Sequence, residues 1–339
     1  MDELRGEALP YISADLPGLG GRLKARPEHF AVEEIPLYEA SGEGPHLYVT
    51  IRREGLTTRQ MVDDLARRFA QPPDSVGYAG LKDKEAVTTQ TFSLAVPLTE
   101  AEARDKCQDA PWELLAVSRH QNKLKVGHLL GNRFTLVLSE PRGTLAEAEA
   151  IAAWVKVTGL PNYFGEQRFG DRGDNPAEAL KMLKAGRKGR DWRGKFLMSA
   201  LQSFIYNHYL SLRIREGLFQ TVLTGDICKK YATGGLFASE DGATETARLA
   251  AGELSHTGPI FGSKMKAAQG PAGDLEARAL AELDLSPDEA ARTGSGDRRA
   301  NRLLLPDLTV AEHPEGFIFT FALPKGAYAT TVMREFIKG

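Results

Sequence analysis

The chain has 339 residues, more than one hydrophobic core usually organises, so two domains are expected. Its 42% apolar and 26% charged content describes a soluble globular protein, and no apolar run approaches the roughly 20 residues of a membrane span. A net charge of -2 excludes a uniformly basic surface, and Cys107 and Cys228 alone supply no disulfide or metal framework, which fits a reducing cytosol.

Residues 1–21 read as irregular and close on Gly18, Gly20 and Gly21. The charged start, with Asp2, Glu3, Arg5 and Glu7, lacks the apolar core of a signal peptide, so a cytoplasmic location is expected. Residues 24–34 read as extended, with Phe30 and Val32 on one face and Ala31 and Glu33 on the other. Residues 46–52 alternate as a second strand. Thr57-Thr58 offers an N-cap to a helix in which Met61, Val62, Leu65, Ala66 and Phe69 recur at helical spacing, ending near Ala70 before Pro72-Pro73. A glycine-punctuated turn then leads into a strand over 87–96. Thr99 caps a short helix through Lys106. Residues 112–118 and 123–126 read as strands joined by the basic turn Arg119-His120-Gln121-Asn122, and 133–138 as a third, entered through Gly131-Asn132.

A helix beginning at Thr144 closes at Gly159, and the character of the chain then changes. Residues 162–173 form a loop dense in aromatics, glycine and arginine. A long helix over 196–215 follows, then glycine-containing loop over 229–239, a helix over 243–252, turn chemistry over 256–262, and helices over 275–283 and 286–292. Strand pattern returns near Leu303, where Phe317, Phe319 and Phe321 alternate. A strand with one aromatic face needs a sheet to join, so it is expected to return to the N-terminal sheet, making the middle an insertion.

The stretch Gly77-Tyr78-Ala79-Gly80-Leu81-Lys82-Asp83-Lys84-Glu85 carries the chemistry most open to interpretation. Gly77 and Gly80 permit unusual dihedrals or close approach to a ligand. Asp83, between two lysines at the mouth of a strand, suits a catalytic carboxylate held ionised. It suits a solvated turn with a surface charge cluster equally, and composition alone favours that plainer reading.

The run Ala79-Gly80-Leu81-Lys82-Asp83, followed by Ala86, Thr88 and Gln90, resembles the signature of the TruD family of tRNA pseudouridine synthases. Four further blocks are similar and in order: Lys24 to Glu34, Gly131-Asn132-Arg133-Phe134, Asn162 to Gly170, and Leu323 to Thr330. The resemblance implies an α+β fold, with a mixed or antiparallel pseudouridine-synthase catalytic sheet over 1–155 and 304–339 and an inserted α/β domain over 156–303. It also implies isomerisation of uridine to pseudouridine in tRNA, at uridine 13, with no cofactor, no metal and no obligate protein partner. The sequence agrees in lacking a GxxxxGK loop, a GxGxxG fingerprint or an HExxH pair, and its seven histidines show no ligand spacing.

Carried over residue by residue, the resemblance makes Asp83 the catalytic group, either a nucleophile at C1′ or a base at C2′. Such a carboxylate needs a nearby cation. Lys82 and Lys84 point away from Asp83 on extended backbone, so Lys24 is the better partner, with a phosphate contact as its other reading. Phe30, Phe134 and Tyr328 occupy positions around a flipped uracil, and Asn132 offers a donor and an acceptor to its edge. Core packing is the competing fate of each phenylalanine.

For RNA contact, Lys82 and Arg168 are candidates, with Tyr163 or Phe164 stacking beside Arg168; a packed hinge is the alternative for that loop. The run from Lys181 to Lys195, including Arg187, Lys188 and Arg190, has seven basic residues against Asp191 and is expected to meet phosphates. Acids such as Asp274, Asp284 and Glu289 are expected on a separate, solvated face. Two other readings stand: a non-catalytic RNA-binding protein on this scaffold, and an aspartate-dependent glycosidic hydrolase, for which no second carboxylate at suitable spacing is evident.

Overall fold

A computed structural model describes residues 9–187, 189 and 191–338. The described chain divides into two compact units. One comprises Pro17–Ala152, Leu305–Gly326 and the described residues from Phe336; the other comprises the described residues through Leu16, Ala153–Leu304 and Ala327–Glu335. No helix among the described residues is long and apolar enough to cross a membrane.

The first unit is built on a sheet of nine strands among the described residues. Its spatial order is Thr309–His313, Gly316–Pro324, Leu129–Ser139, Phe30–Pro36, Val87–Leu94, His46–Arg53 and Glu113–His120. Two short strands, Arg22–Leu23 and Gly77–Tyr78, attach to Leu129–Ser139 and Val87–Leu94. Phe30–Pro36 runs parallel to Val87–Leu94, and the other pairings are antiparallel. The phenylalanine-rich strand pairs with Leu129–Ser139 over its whole length, from Gly316 opposite Ser139 to Pro324 opposite Gly131.

Two helices, the longer one amphipathic, cover part of one face. Thr58–Arg68 is opened by a capping box between Thr57 and Gln60, and Glu100–Cys107 by one between Thr99 and Glu102. Met61, Val62, Leu65 and Ala66 of the longer helix pack on Val49, Ile51, Phe92 and Leu94 of the sheet. Burying four such apolar side chains supplies roughly 1.5–3 kcal/mol for each large one.

Several expectations for this unit change. Pro27–His29 is a 3-10 turn within the segment expected as extended, and Arg119 and His120, expected in a turn, continue the strand Glu113–His120. Residues 123–126 are not a strand: the Leu124 N–H donates to Ser93 Oγ (2.9 Å) and Lys123 Nζ to the Asp74 carbonyl (2.6 Å), so side-chain contacts replace a ladder. Gly131 and Asn132 lie inside one long strand and not at its entry turn. A Cβ on Gly131 would stand 2.0 Å from the Leu323 carbonyl oxygen, so the close approach of the neighbouring strand is what requires glycine.

The second unit surrounds the helix Trp192–Arg215, whose Leu197, Met198, Leu201 and Ile205 pack with Ala179, Leu183, Phe261 and Leu280. Its main sheet is ordered Leu236–Ala238, Ile227–Lys230, Leu254–Ile260 and Asp297–Ala300. Residues 229–239 and 256–262, expected as loop and turn, therefore contribute strands. Turn-type composition is overridden here because pairing on both sides supplies the backbone partners. The long helix starts four residues earlier than expected, at Trp192, because Asp191 caps it by accepting from the Gly194 N–H (2.7 Å).

Residues 9–16 and 327–335, counted on sequence with the catalytic domain, group with this second unit. The Ile12 and Ser13 N–H groups donate to the Glu335 carboxylate (3.2 and 3.1 Å), Trp154 Nε1 donates to the Ile12 carbonyl (2.9 Å), and Arg334 lies 3.9 Å from the Tyr11 ring centroid.

Candidate active site

Register alone brings the site of the first unit together. Glu34 lies opposite Asn132, Val32 opposite Phe134, and Phe321 opposite Phe134, so these side chains share one face of the sheet. Val32 also sits beside Thr88 across the parallel pair, which puts Thr88 and Gln90 on the same face. Arg53, opposite Thr88, joins them from the next strand.

The Asp83 loop is pinned to this face at three points. Gln90 Nε2 donates to the Gly80 carbonyl (2.5 Å), the Lys82 N–H donates to Thr58 Oγ1 (2.9 Å), and Lys82 Nζ pairs with Glu34 Oε2 (2.7 Å). Arg53 Nη2 holds both Gln90 Oε1 and Thr58 Oγ1 at 3.1 Å, tying the pins to one another. Burial pushes the Glu34 carboxyl up from its ordinary pKa, with Lys82 and Gln90 pulling it back, and burial lowers the Arg53 pKa to about 10. Gly77 anchors the start of the loop. A Cβ there would meet the Leu124 carbonyl and Ser93 Oγ at 2.3 Å, whereas neither Gly77 nor Gly80 adopts a positive φ, the other reason expected for them.

From this base Asp83 turns outward. Lys24 Nζ donates to Asp83 Oδ2 at 3.1 Å, and the Glu85 N–H donates to Oδ1 at 3.2 Å. Partial burial raises the Asp83 pKa, but the Glu85 N–H, Lys24 and the Lys84 N–H outweigh it and hold the carboxyl below the usual carboxylate range. The cation that pairs with Asp83 is thus Lys24. Its backbone is left-handed (φ 55°), a conformation costing a non-glycine residue about 1–2 kcal/mol. The ammonium also sits 4.4 Å from the Phe30 ring centroid, so Phe30 supports the cation with one of its faces.

Phe30 and Phe134 meet edge to face at 6.2 Å, and Phe134 stacks on Phe321 at 5.6 Å; Phe30 and Phe134 are each only 7% exposed. Asn132, two residues from Phe134 on the same strand face, has a buried amide oxygen with no hydrogen-bond partner among the described residues. An amide left so is costly unless something completes it.

Other expected contacts fall out differently. Lys82, expected at RNA phosphate, spends its ammonium on Glu34, with both side chains 5% exposed. Tyr163, expected to stack on RNA, is buried at 2% exposure with its hydroxyl near Ser211, while Phe164 is half-buried. Arg168 is held by Ser203 Oγ (3.1 Å) and Ser199 Oγ, and Tyr328 belongs to the second unit, edge to face with Phe164 at 6.2 Å.

In the basic run, Arg193 pairs with Glu178 (2.9 Å), and Lys184 lies 3.2 Å from Glu289 and 3.5 Å from Asp284. Charge is therefore less segregated than the sequence suggests, because the fold carries Asp284 and Glu289 to the run. Arg187 is exposed, while Lys188 and Arg190 lie outside the described residues.

Sequence reading gave no place in the site to Glu34 or Arg53, took Thr58 only as an N-cap candidate and Gln90 only as part of the family signature. Arg53 had a signal: it continues the inward alternation of Val49 and Ile51, where a charged residue calls for buried partners.

Comparison with known proteins gives the family of the whole chain. A family model described as tRNA pseudouridine synthase D (TruD) matches residues 8–187 and 193–336. The chain belongs to the TruD family of tRNA pseudouridine synthases. It is 43% identical over 336 residues to tRNA pseudouridine synthase D of Thermus thermophilus, covering 98% of this chain and 93% of the relative. It is 44% identical over 344 residues to that of Anaeromyxobacter dehalogenans, covering 97% and 96%. The crystal structure of the TruD protein of Methanosarcina mazei superposes with a TM-score of 0.78 at 25% identity, covering 96% of this chain and 95% of that one. As a TruD-family enzyme the chain is an isomerase that converts uridine to pseudouridine in tRNA.

Proposed function

We propose that Asp83 performs this isomerisation, on uridine 13 of tRNA in the cytoplasm, with the uracil edge completed by Asn132. In the reaction the N1–C1′ bond breaks, the uracil turns, C5 bonds to C1′, and C5 loses a proton as N1 gains one. No electrons are exchanged. The observation that carries the reading is the Lys24–Asp83 ion pair on a pinned loop, with the carboxylate side chain 44% exposed. A charged carboxylate with one open side is what attack at C1′ and proton removal at C2′ both require. The unpartnered Asn132 amide oxygen supports it, since uracil N3–H is a donor of the right kind. Phe134 supplies aromatic surface to the base, while Phe30 steadies Lys24.

The test is incubation of the pure protein with unmodified tRNA and mapping of pseudouridine at single-nucleotide resolution. Pseudouridine at position 13 in the wild type and none with Asp83→Asn is the expected result. Product at another position would overturn the site, and full activity of Asp83→Asn would overturn the residue. A primary isotope effect with 2′-deuterated uridine marks the base route; its absence marks attack at C1′.

A further inference from the structure

The first turn of the helix Trp192–Arg215 presents an aromatic pair that no core explains. Trp192 is 78% exposed and Phe196 36%, and their rings lie parallel, 5.7 Å between centroids and 10° between planes. An i,i+4 aromatic pair stabilises a helix only slightly, so helix stability alone does not account for a tryptophan left this open to water. The same helical stripe continues through Ser199 and Ser203, at the following i+3 and i+4 positions. There Arg168 is laid across it by hydrogen bonds to both serines, with its guanidinium 5.8 Å from the Phe164 ring centroid. Phe164 in turn meets Tyr328 edge to face. Aromatic surface and fixed positive charge thus alternate from Trp192 to Tyr328 within one unit.

The flank of the stripe is also basic. Lys195 lies one turn from Trp192, and the loop bearing Arg187 is held against the helix start, where a Cβ on Gly189 would come within 2.4 Å of the Gly194 carbonyl. Arg187 and Lys195 are exposed, and among the described residues neither forms an ion pair. An apolar protein partner would be poorly matched to such a flank. A polyanion carrying flat rings matches both features.

We infer that this stripe binds an unpaired stretch of the RNA substrate, a base stacking on Trp192 and the backbone phosphates meeting Arg168, Lys195 and Arg187. The inference rests on tRNA being the substrate, and it places a contact for the substrate beyond the reacting nucleotide. Stacking of this kind tolerates any base, so the contact grips without reading sequence.

The test uses the full chain, an oligouridylate and unmodified tRNA as probes, and tryptophan emission as one readout. Trp112 is buried but Trp154 is 47% exposed, so the quench is assigned to Trp192 by its loss in Trp192→Ala and its persistence in Trp154→Phe. Trp192→Ala should abolish the quench and weaken binding of both probes by about 5- to 150-fold, with the melting temperature unmoved. Trp192→Phe should restore most of the affinity. Lys195→Glu should reduce the slope of log K against log salt by about 0.7–0.9 for a single-stranded or duplex contact. Wild-type affinity in Trp192→Ala, or an affinity loss that Trp192→Phe leaves unrepaired, would overturn the inference. Pseudouridine mapping of the wild type is a separate measurement, so failure of the stripe and failure of the activity are told apart.

Discussion

Two lysine–carboxylate pairs in the first unit are set by adjacent residues and have opposite characters. Lys82 and Glu34 are buried, with 5% of each side chain exposed, while Lys24 and Asp83 keep 23% and 44%. A buried pair adds little net stability, because desolvation consumes most of its attraction, but losing one member strands a charge in the interior. A rim pair is weak, screened by salt and easily exchanged for another partner. Residues 82 and 83 serve such different ends because the loop sends Lys82 Nζ to the buried Glu34 and leaves Asp83 at the rim with Lys24. Anchoring is thus delegated to Lys82, leaving Asp83 charged and open. A carboxylate that did both would be either immobile or misplaced.

The strongest way to break this contrast is at Asp83. Asp83→Asn is isosteric but neither attacks nor accepts a proton, so turnover should fall by about 10²–10⁴-fold or more, while the melting temperature falls only slightly because a rim ion pair contributes little. A rate above about a hundredth of wild type would remove Asp83 from its central place.

Lys82→Met should have the reverse signature. It leaves Glu34 buried without its cation and should cost about 3–5 kcal/mol in urea denaturation, whereas adding Glu34→Leu should recover most of the loss. Wild-type stability in Lys82→Met would erase the distinction between the two pairs.

Gln90→Leu sharpens the comparison by freeing the Gly80 carbonyl and removing one of the acceptors of Arg53. We expect a loss of about 1–3 kcal/mol of stability, together with a fall in kcat that Lys82 alone does not prevent. Stability lost with kcat intact would show that the loop is held by Lys82 and Thr58 without Gln90.

The smallest effect concerns pH. The Asp83 pKa is depressed in the folded protein, so its ion pair contributes stability above the ordinary carboxylate pKa and loses it as pH falls through the lowered value. The acid limb of kcat/KM should accordingly lie below the ordinary carboxylate range in the wild type. Lys24→Met removes a donor and a positive charge while burial remains, so the limb should move to higher pH. An unmoved limb would mean that Lys24 does not set the charge state of Asp83.

Much of the frame was legible because it rests on local rules. Thr57 and Thr99 announced their helices through capping chemistry, and the alternation of Phe317, Phe319 and Phe321 announced a strand in need of a sheet. The choice of Lys24 over Lys82 followed from the geometry of extended backbone. What misled was composition read without neighbours. Gly131 looked like a turn and is a close approach between strands, residues 256–262 looked like a turn and sit within a central strand and its exit, and Lys184 looked free for phosphate until Asp284 and Glu289 arrived from a hundred residues away.

By itself, then, the sequence determined which residues are candidates for the chemistry: an acidic group in a glycine-flanked loop, a lysine block, an Asn-Arg-Phe strand and an aromatic near the end. Their types and spacings are written in one dimension. Only the tertiary structure decided how each is used. Whether a lysine is a buried anchor or an exposed partner depends on register with Glu34 and Thr58, which lie tens of residues away, and on the water that the sheet excludes. Desolvation and long-range pairing depend on every neighbour at once, and no local pattern contains them.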